Sequence, residues 1–164
     1  MKTLWAPWRM EYILSEKDKE CLFCVRHKEN NDRDNLILHR SEHVYVIMNK
    51  YPYNNGHLMV VPYFHTSSFD GLPDTALSEL MKITKYSVEC LRKALNPEGF
   101  NIGINFGEVA GAGIEEHMHI HIVPRWAGDA SFMTVLGEVR VIPEHILETY
   151  DKLHPVFNAL ENLR

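Results

Sequence analysis

A chain of 164 residues, 45% hydrophobic and 24% charged, has the composition of an ordinary globular domain and can bury a sizeable core. A formal net charge of -5 and a pI near 6.0 exclude the broad basic surplus of a nucleic-acid-polymer binder and leave room only for a local anion site. No apolar run reaches the roughly 18–20 residues of a membrane span, and the opening MKTLWAPWRMEYIL, with Pro7, Arg9 and Glu11, lacks the apolar block of a signal peptide; a soluble, cytoplasmic protein is expected.

In chain order, residues 16–34 (EKDKECLFCVRHKENNDRD) are strongly charged around Cys21-Leu-Phe-Cys24 and read as an exposed arm or loop with one small anchored knot. Three cysteines do not build a disulfide framework. In a reducing compartment the pair either binds metal or stays reduced, and Cys90, inside a helical pattern, reads as a core thiol. HVYVIMN (43–49) and HLMVVP (57–62) are β-rich and flank YPYNNG (51–56), which has turn chemistry, so a hairpin is expected. Pro73 and Asp74 suit a helix start. Leu77, Leu80, Met81, Thr84, Val88, Leu91 and Leu95 then recur at helical spacing as one apolar stripe, which NPEG (96–99) ends. FNIGINF (100–106) alternates as a strand, GEVAGAG (107–113) is a glycine-rich loop, and residues 116–124 form a further strand. Another strand near 135–142 and an amphipathic helix from Pro143, interrupted near Pro155, complete the pattern. Strands, one long helix, then strands again predict an α+β fold on an antiparallel sheet.

The segment EEHMHIHIVPRW (115–126) sets His117, His119 and His121 at alternate positions. On a strand these rings line one face over roughly 7 Å, with Met118, Ile120 and Ile122 toward the core. Imidazole titrates near neutrality and is both a nitrogen nucleophile and a metal ligand, so the row points to metal binding or to catalysis on phosphate. The loop NFGEVAGAG (105–113) feeds directly into it, and its glycines leave backbone N–H groups free to approach an anion.

HMHIHIV matches the pattern His-x-His-x-His-apolar-apolar. Together with NNGHLMVVPYFH (54–65), VIMNKYPYNNGH (46–57) and NFGEVAGAG, it makes the chain resemble the histidine triad (HIT) superfamily over roughly residues 20–126. The flanks LWAPWRMEYI and VPRW look like the branch holding bacterial diadenosine tetraphosphate phosphorylases and related hydrolases. The resemblance implies one HIT domain over 1–164, with its core at about 20–126, an N-terminal arm at 1–19 and a C-terminal extension at 127–164. It implies an antiparallel sheet of about five strands, one long helix and a C-terminal helix, and a homodimer.

The resemblance also implies roles. His119 is the expected nucleophile on the α-phosphorus of a nucleotide, and His121 the donor to a phosphate oxygen. His57 supports the row by hydrogen bonding, and Asn105 meets phosphate or leaving group. Asn49 lies near the ribose, and the N–H groups near Gly111 and Gly113 offset phosphoryl charge. Some relatives carry serine or glutamine four residues before the first triad histidine. This chain has Gly113 there, which leaves the leaving-group preference open. Arg125 and Trp126 are candidates for the distal part of the substrate; Arg9, Trp5 and Trp8 are further aromatic and cationic candidates. Relatives with such a cysteine pair complete a structural zinc site with two histidines, which map onto Cys21, Cys24, His65 and His117. The expected activity is nucleotidyl hydrolysis or transfer on dinucleoside polyphosphates through a nucleotidyl-histidine intermediate. The alternative is a nucleotide-binding module with a partner-binding role and weak phosphoramidase activity.

Overall fold

Runs of β-branched and aromatic residues make the middle of one sheet. The computed structural model describes residues 20–129 and 142–161. Among these, β1 (Ile37–Arg40), β2 (Val44–Met48), β3 (Leu58–Pro62), β4 (Gly99–Ile104) and β5 (Ile120–Arg125) form a five-stranded antiparallel sheet in the order β1-β2-β3-β5-β4. A one-turn helix, α1 (Leu22–Arg26), precedes the sheet; α2 (Asp74–Leu95) joins β3 to β4; α3 (Ile146–Glu161) closes the described chain. The expected α+β architecture is the observed one. The hairpin, the long helix and its stop are where the sequence places them: α2 starts after Pro73 and ends at Asn96, whose φ of 47° is the left-handed conformation of a helix terminus.

Register assigns the two faces. His39 pairs with Val46, and Val46 with Val60, and this face receives the helices: His39 packs on Tyr86 of α2 and Phe157 of α3. Tyr45, Met59 and His121 lie on the other face. There the Tyr45 hydroxyl donates to the Phe23 carbonyl at 3.0 Å, so α1 caps the sheet opposite the long helices. Both faces of the central strands are thus covered, and every residue of β2 and β3 is buried.

Four expectations are corrected. β1 is an additional strand: its short run follows the charged arm without an alternation long enough to stand out. The triad strand starts at Ile120 rather than 116, because residues 117–119 cross the end of β3 instead of pairing along it; Met118 N–H donates to Thr66 O at 2.7 Å. The buried stripe of α2 runs through Ala76, Leu80, Ile83, Thr84, Ser87, Cys90 and Leu91, while Met81 is 56% exposed. Small and polar residues share this buried side; Thr84 and Ser87 return their hydroxyls to the carbonyls of Leu80 and Ile83. Finally, α3 runs unbroken through Pro155. Leu153 and Phe157 are fully buried on either side of this exposed proline, and their docking offsets the one lost helical hydrogen bond. Residues 135–141 of the strand expected near 135–142, and Trp5, Trp8 and Arg9, fall outside the described residues. Among the described residues β4 is an edge strand, with Ile102 half exposed.

The Pro155 reading has a direct test. Pro155→Ala is expected to raise unfolding stability by up to about 3 kcal/mol, and Leu153→Ala to lower it by about 2–5 kcal/mol. Urea denaturation checks both; a destabilised Pro155→Ala would contradict the account.

Candidate active site and metal centre

His117 ties the site together. Its Nε2–H donates to the Pro62 carbonyl at 2.8 Å, and the ring is fully buried. Nε2 therefore carries the proton and Nδ1 keeps a lone pair. That Nδ1 faces Cys21 Sγ at 3.3 Å and Cys24 Sγ at 3.5 Å, while Cys24 Sγ meets His65 Nδ1 at 3.3 Å. The four donor atoms of Cys21, Cys24, His65 and His117 all lie within 4.8 Å of one another. Two thiols and two imidazole nitrogens, gathered around one point, have the chemistry of a tetrahedral zinc site. α1 makes this geometry: Cys21 is its N-cap and Cys24 follows one turn later, so the two sulfurs project together. Burial, followed by the neighbouring Cys21, pushes the Cys24 thiol above its ordinary value.

His119 is held differently. Its Nδ1–H donates to the backbone carbonyl of His117 at 2.9 Å, and only 5% of the residue is exposed. The remaining nitrogen, Nε2, has an unshared pair. Burial lowers the His119 pKa, opposed in part by that carbonyl bond, so the ring is neutral and Nε2 nucleophilic at neutral pH.

A relay fixes His121. Tyr51 N–H donates to Asn49 Oδ1 at 2.9 Å, which turns the Asn49 amide nitrogen toward His57 Nδ1 at 3.3 Å. Tyr53 N–H donates to the same Nδ1 at 3.0 Å. With two donors on Nδ1, neutral His57 carries its proton on Nε2, which donates to His121 Nδ1 at 2.9 Å. His121 then has its proton on Nε2, the opposite tautomer to His119. Its ring lies edge-on to His119, centroids 4.6 Å apart. The row thus presents a bare nitrogen and an N–H donor side by side.

The glycine loop lies beside this pair. Gly103 is paired with His121 and Ile104 with Ile120, so Asn105 is level with His119. Asn105 Nδ2 donates to Gly111 O at 3.3 Å, which ties the loop back to the strand end. Gly111 has φ +84°, a conformation that only glycine adopts without strain, whereas Gly113 is exposed with open space around it.

Structure brings together Cys21, Cys24, His57, His65, His117, His119, His121, Asn49, Asn105 and Gly111. Arg125 and Trp126 stand apart. Arg125 is four residues beyond His121, roughly 13 Å along the strand, and its guanidinium is bound to Asp129 Oδ2 at 2.8 Å and Asn101 Oδ1 at 2.6 Å. Trp126 N–H donates to the same Asp129 carboxylate at 3.0 Å. Three participants escape sequence reasoning. Tyr53 packs its ring over both His57 and His121, at 4.6 and 5.7 Å between centroids. Asn54 anchors that loop to Pro124 O at 2.9 Å and Asp129 at 2.8 Å. Phe23 touches two of the triad rings. Only the positions of Tyr53 and Asn54 within YPYNNG carry a signal, as turn chemistry.

Known proteins resemble this chain in sequence and in fold. The HIT domain model matches residues 30–128, so the cysteine pair lies upstream of the matched segment. A relative named AP-4-A phosphorylase, from Mycobacterium tuberculosis, is 38% identical over 157 residues, covering 91% of this chain and 80% of its own. A zinc-bound histidine triad family protein from Mycobacterium smegmatis superposes with a TM-score of 0.70 at 25% identity, covering 88% of this chain and 98% of that one. A hypothetical histidine triad nucleotide-binding protein from Sulfolobus tokodaii gives 0.66 at 28% identity, covering 87% and 93%.

Burial, and then the neighbouring His119, push the His121 pKa from 6.5 to about 4. The unfolded chain takes up this proton first as pH falls, so the stability tied to neutral His121 is complete above about 6.5 and is lost on descent through about 4. His121→Asn is expected to lose less stability than the parent chain between pH 7 and 4, measured by urea unfolding at each pH; parallel curves would refute the assignment.

Proposed function

The chain belongs to the HIT domain family, and from that premise we propose that it is a nucleotidyl hydrolase or transferase that cleaves dinucleoside polyphosphates at the α-phosphate through a nucleotidyl-His119 intermediate. One observation carries the reading: His119 and His121 are neutral neighbours in opposite tautomers, one offering a lone pair and the other an N–H.

In the first step His119 Nε2 forms a bond to the α-phosphorus, and the bond from phosphorus to the bridging oxygen breaks. The departing polyphosphate keeps that electron pair. His121 Nε2–H donates to a phosphate oxygen as charge gathers there, and His57, held by Asn49 and Tyr53, keeps His121 in the donating tautomer. The Asn105 side chain and the N–H groups near Gly111 and Gly113 receive the remaining phosphoryl charge. In the second step an oxygen of water or inorganic phosphate forms the new bond to phosphorus, the bond to Nε2 breaks, its electron pair returns to His119, and the proton lost by attacking water passes to solvent. Covalent catalysis replaces one hard displacement with two easier ones. Arg125 and Trp126 are proposed for the far end of the substrate, where their distance from the triad suits the second nucleoside.

Cys21, Cys24, His65 and His117 are proposed to hold structural zinc. Bound there, zinc would serve as a structural tie between the cysteine turn and the triad segment. His117 then has both nitrogens committed, to the knot and to Pro62 O, and its own carbonyl remains for His119.

Single turnover with labelled AP-4-A tests the catalytic reading. The expected result is label trapped on His119, none on His119→Ala, and cleavage slowed by about 10²–10³-fold in His121→Gln. Failure to trap label together with no cleavage would refute it. Adding phosphate decides the acceptor: ADP beside ATP marks phosphorolysis, AMP beside ATP marks hydrolysis. For the knot, metal analysis of protein never exposed to chelator is expected to give about one zinc per chain, lost in Cys24→Ser. Zinc-free parent protein would remove the proposal.

A further inference from the structure

Phe23 lies between the two cysteines and is the buried residue of α1, 1% exposed. Its carbonyl is held twice, by Tyr45 Oη–H at 3.0 Å and His27 Nδ1–H at 2.9 Å. Its ring meets His117 at 5.4 Å between centroids and 73° between planes, and His119 at 5.0 Å and 60°. One phenyl ring therefore touches a member of the metal knot and the proposed nucleophile together. The hydrogen bond from His119 Nδ1 to His117 O pins only one point of the imidazole. What stops the ring from swinging about that point is packing, and the aromatic rings abutting it are Phe23 and His121.

We infer that Phe23 is a positioning residue: it transmits the fixed geometry of the Cys21–Cys24 knot to His119 and holds that ring with Nε2 aimed along the attack line. The knot then acts on the nucleophile by two routes, the His117 carbonyl and the Phe23 ring. This explains why a charged N-terminal segment reaches across to the face of the sheet opposite the long helices. The inference rests on the reading of His119 as nucleophile, and the experiment separates the two.

Phe23→Ala and Phe23→Leu are prepared as the zinc-loaded full chain, with metal content measured for each. Two quantities are read: kcat and KM for AP-4-A cleavage, and, without substrate, the rate at which diethyl pyrocarbonate modifies His119, mapped by mass spectrometry. A ring that merely fills space would alter stability or metal retention and leave kcat alone. The positioning role predicts a kcat about 10–100-fold lower in Phe23→Ala with KM within about twofold. It also predicts faster modification of His119, with partial rescue of both by Phe23→Leu. Where Phe23→Ala fails to fold or load zinc, Phe23→Leu decides by the same two readings. Parent-like kcat and parent-like modification in a zinc-loaded variant overturn the inference, as does a change confined to KM. If the parent chain forms no nucleotidyl-His119, the nucleophile reading falls. The modification rates then decide alone: acceleration supports Phe23 as the holder of the ring, and an unchanged rate overturns it.

Discussion

The hydrogen bond from His117 Nε2 to the Pro62 carbonyl organises the site. It forms where residues 117–119 leave the ladder and cross the end of β3, and Met118 N–H to Thr66 O holds the same crossing from the backbone. Once Nε2 is spent on that carbonyl, Nδ1 must look the other way, toward the two thiols. The crossing also exposes the His117 carbonyl to the ring of His119. A straight strand from 116 would have spent that carbonyl on ladder pairing and left His119 without its tautomer-setting acceptor. The departure from regular β-structure is thus what turns three similar rings into three different ones.

Tautomers, rather than charges, distinguish the histidines. Burial makes the imidazolium form costly, and it lowers the pKa of His117, His119 and His121 alike. Neutral imidazole has one donor and one acceptor, and which is which follows from the partner of the other nitrogen. His119 has a carbonyl partner and keeps an acceptor. His121 has the His57 donor as partner and keeps an N–H. That second assignment reaches back through His57 to the Tyr53 backbone and the Asn49 amide, so the polar loop of the hairpin sets the chemistry of a ring on another strand. Among the described residues no buried side-chain nitrogen or oxygen lacks a partner, as such a chain of dependent bonds requires.

Much of this was legible in the sequence because its signals are local. The hairpin, α2 with its Pro73 start and Asn96 stop, and the glycine loop follow from periodicity and turn chemistry over short windows. The proposed zinc ligands and the His57 relay follow from motif resemblance, which encodes contacts between residues as far apart as Cys21 and His117. What escaped depended on tertiary packing with no repeating pattern. Phe23 looks like one apolar residue in a charged arm, and nothing local says that its ring reaches two histidines nearly a hundred positions away. Tyr53 and Asn54 look like turn residues. Met81 sits at a helical spacing that fits the apolar stripe, yet the buried side of α2 is that of Thr84 and Ser87, whose hydroxyls are satisfied within the helix. Pro155 misled in the other direction: a local breaker was overridden by two buried neighbours, Leu153 and Phe157.

The two faces of the sheet divide the work. Helices α2 and α3 bury Val46, Val60, Ile120 and Ile122 on one side, and this core supplies the hydrophobic stabilisation of the fold. The opposite side carries buried neutral histidines, which stabilise poorly and cost more as pH falls. Such a face is tolerable only because the other one is apolar and well packed. β5 joins them: Ile120 and Ile122 face the helices while His121, between them, faces the site. Movement of the strand would therefore disturb core and chemistry together. Rigidity of the proposed nucleophile thus comes from behind through β5, and from in front through the cysteine knot and Phe23. A reacting imidazole held from both sides gives up little orientational freedom when a substrate arrives, and that loss is a large part of the barrier to a displacement at phosphorus.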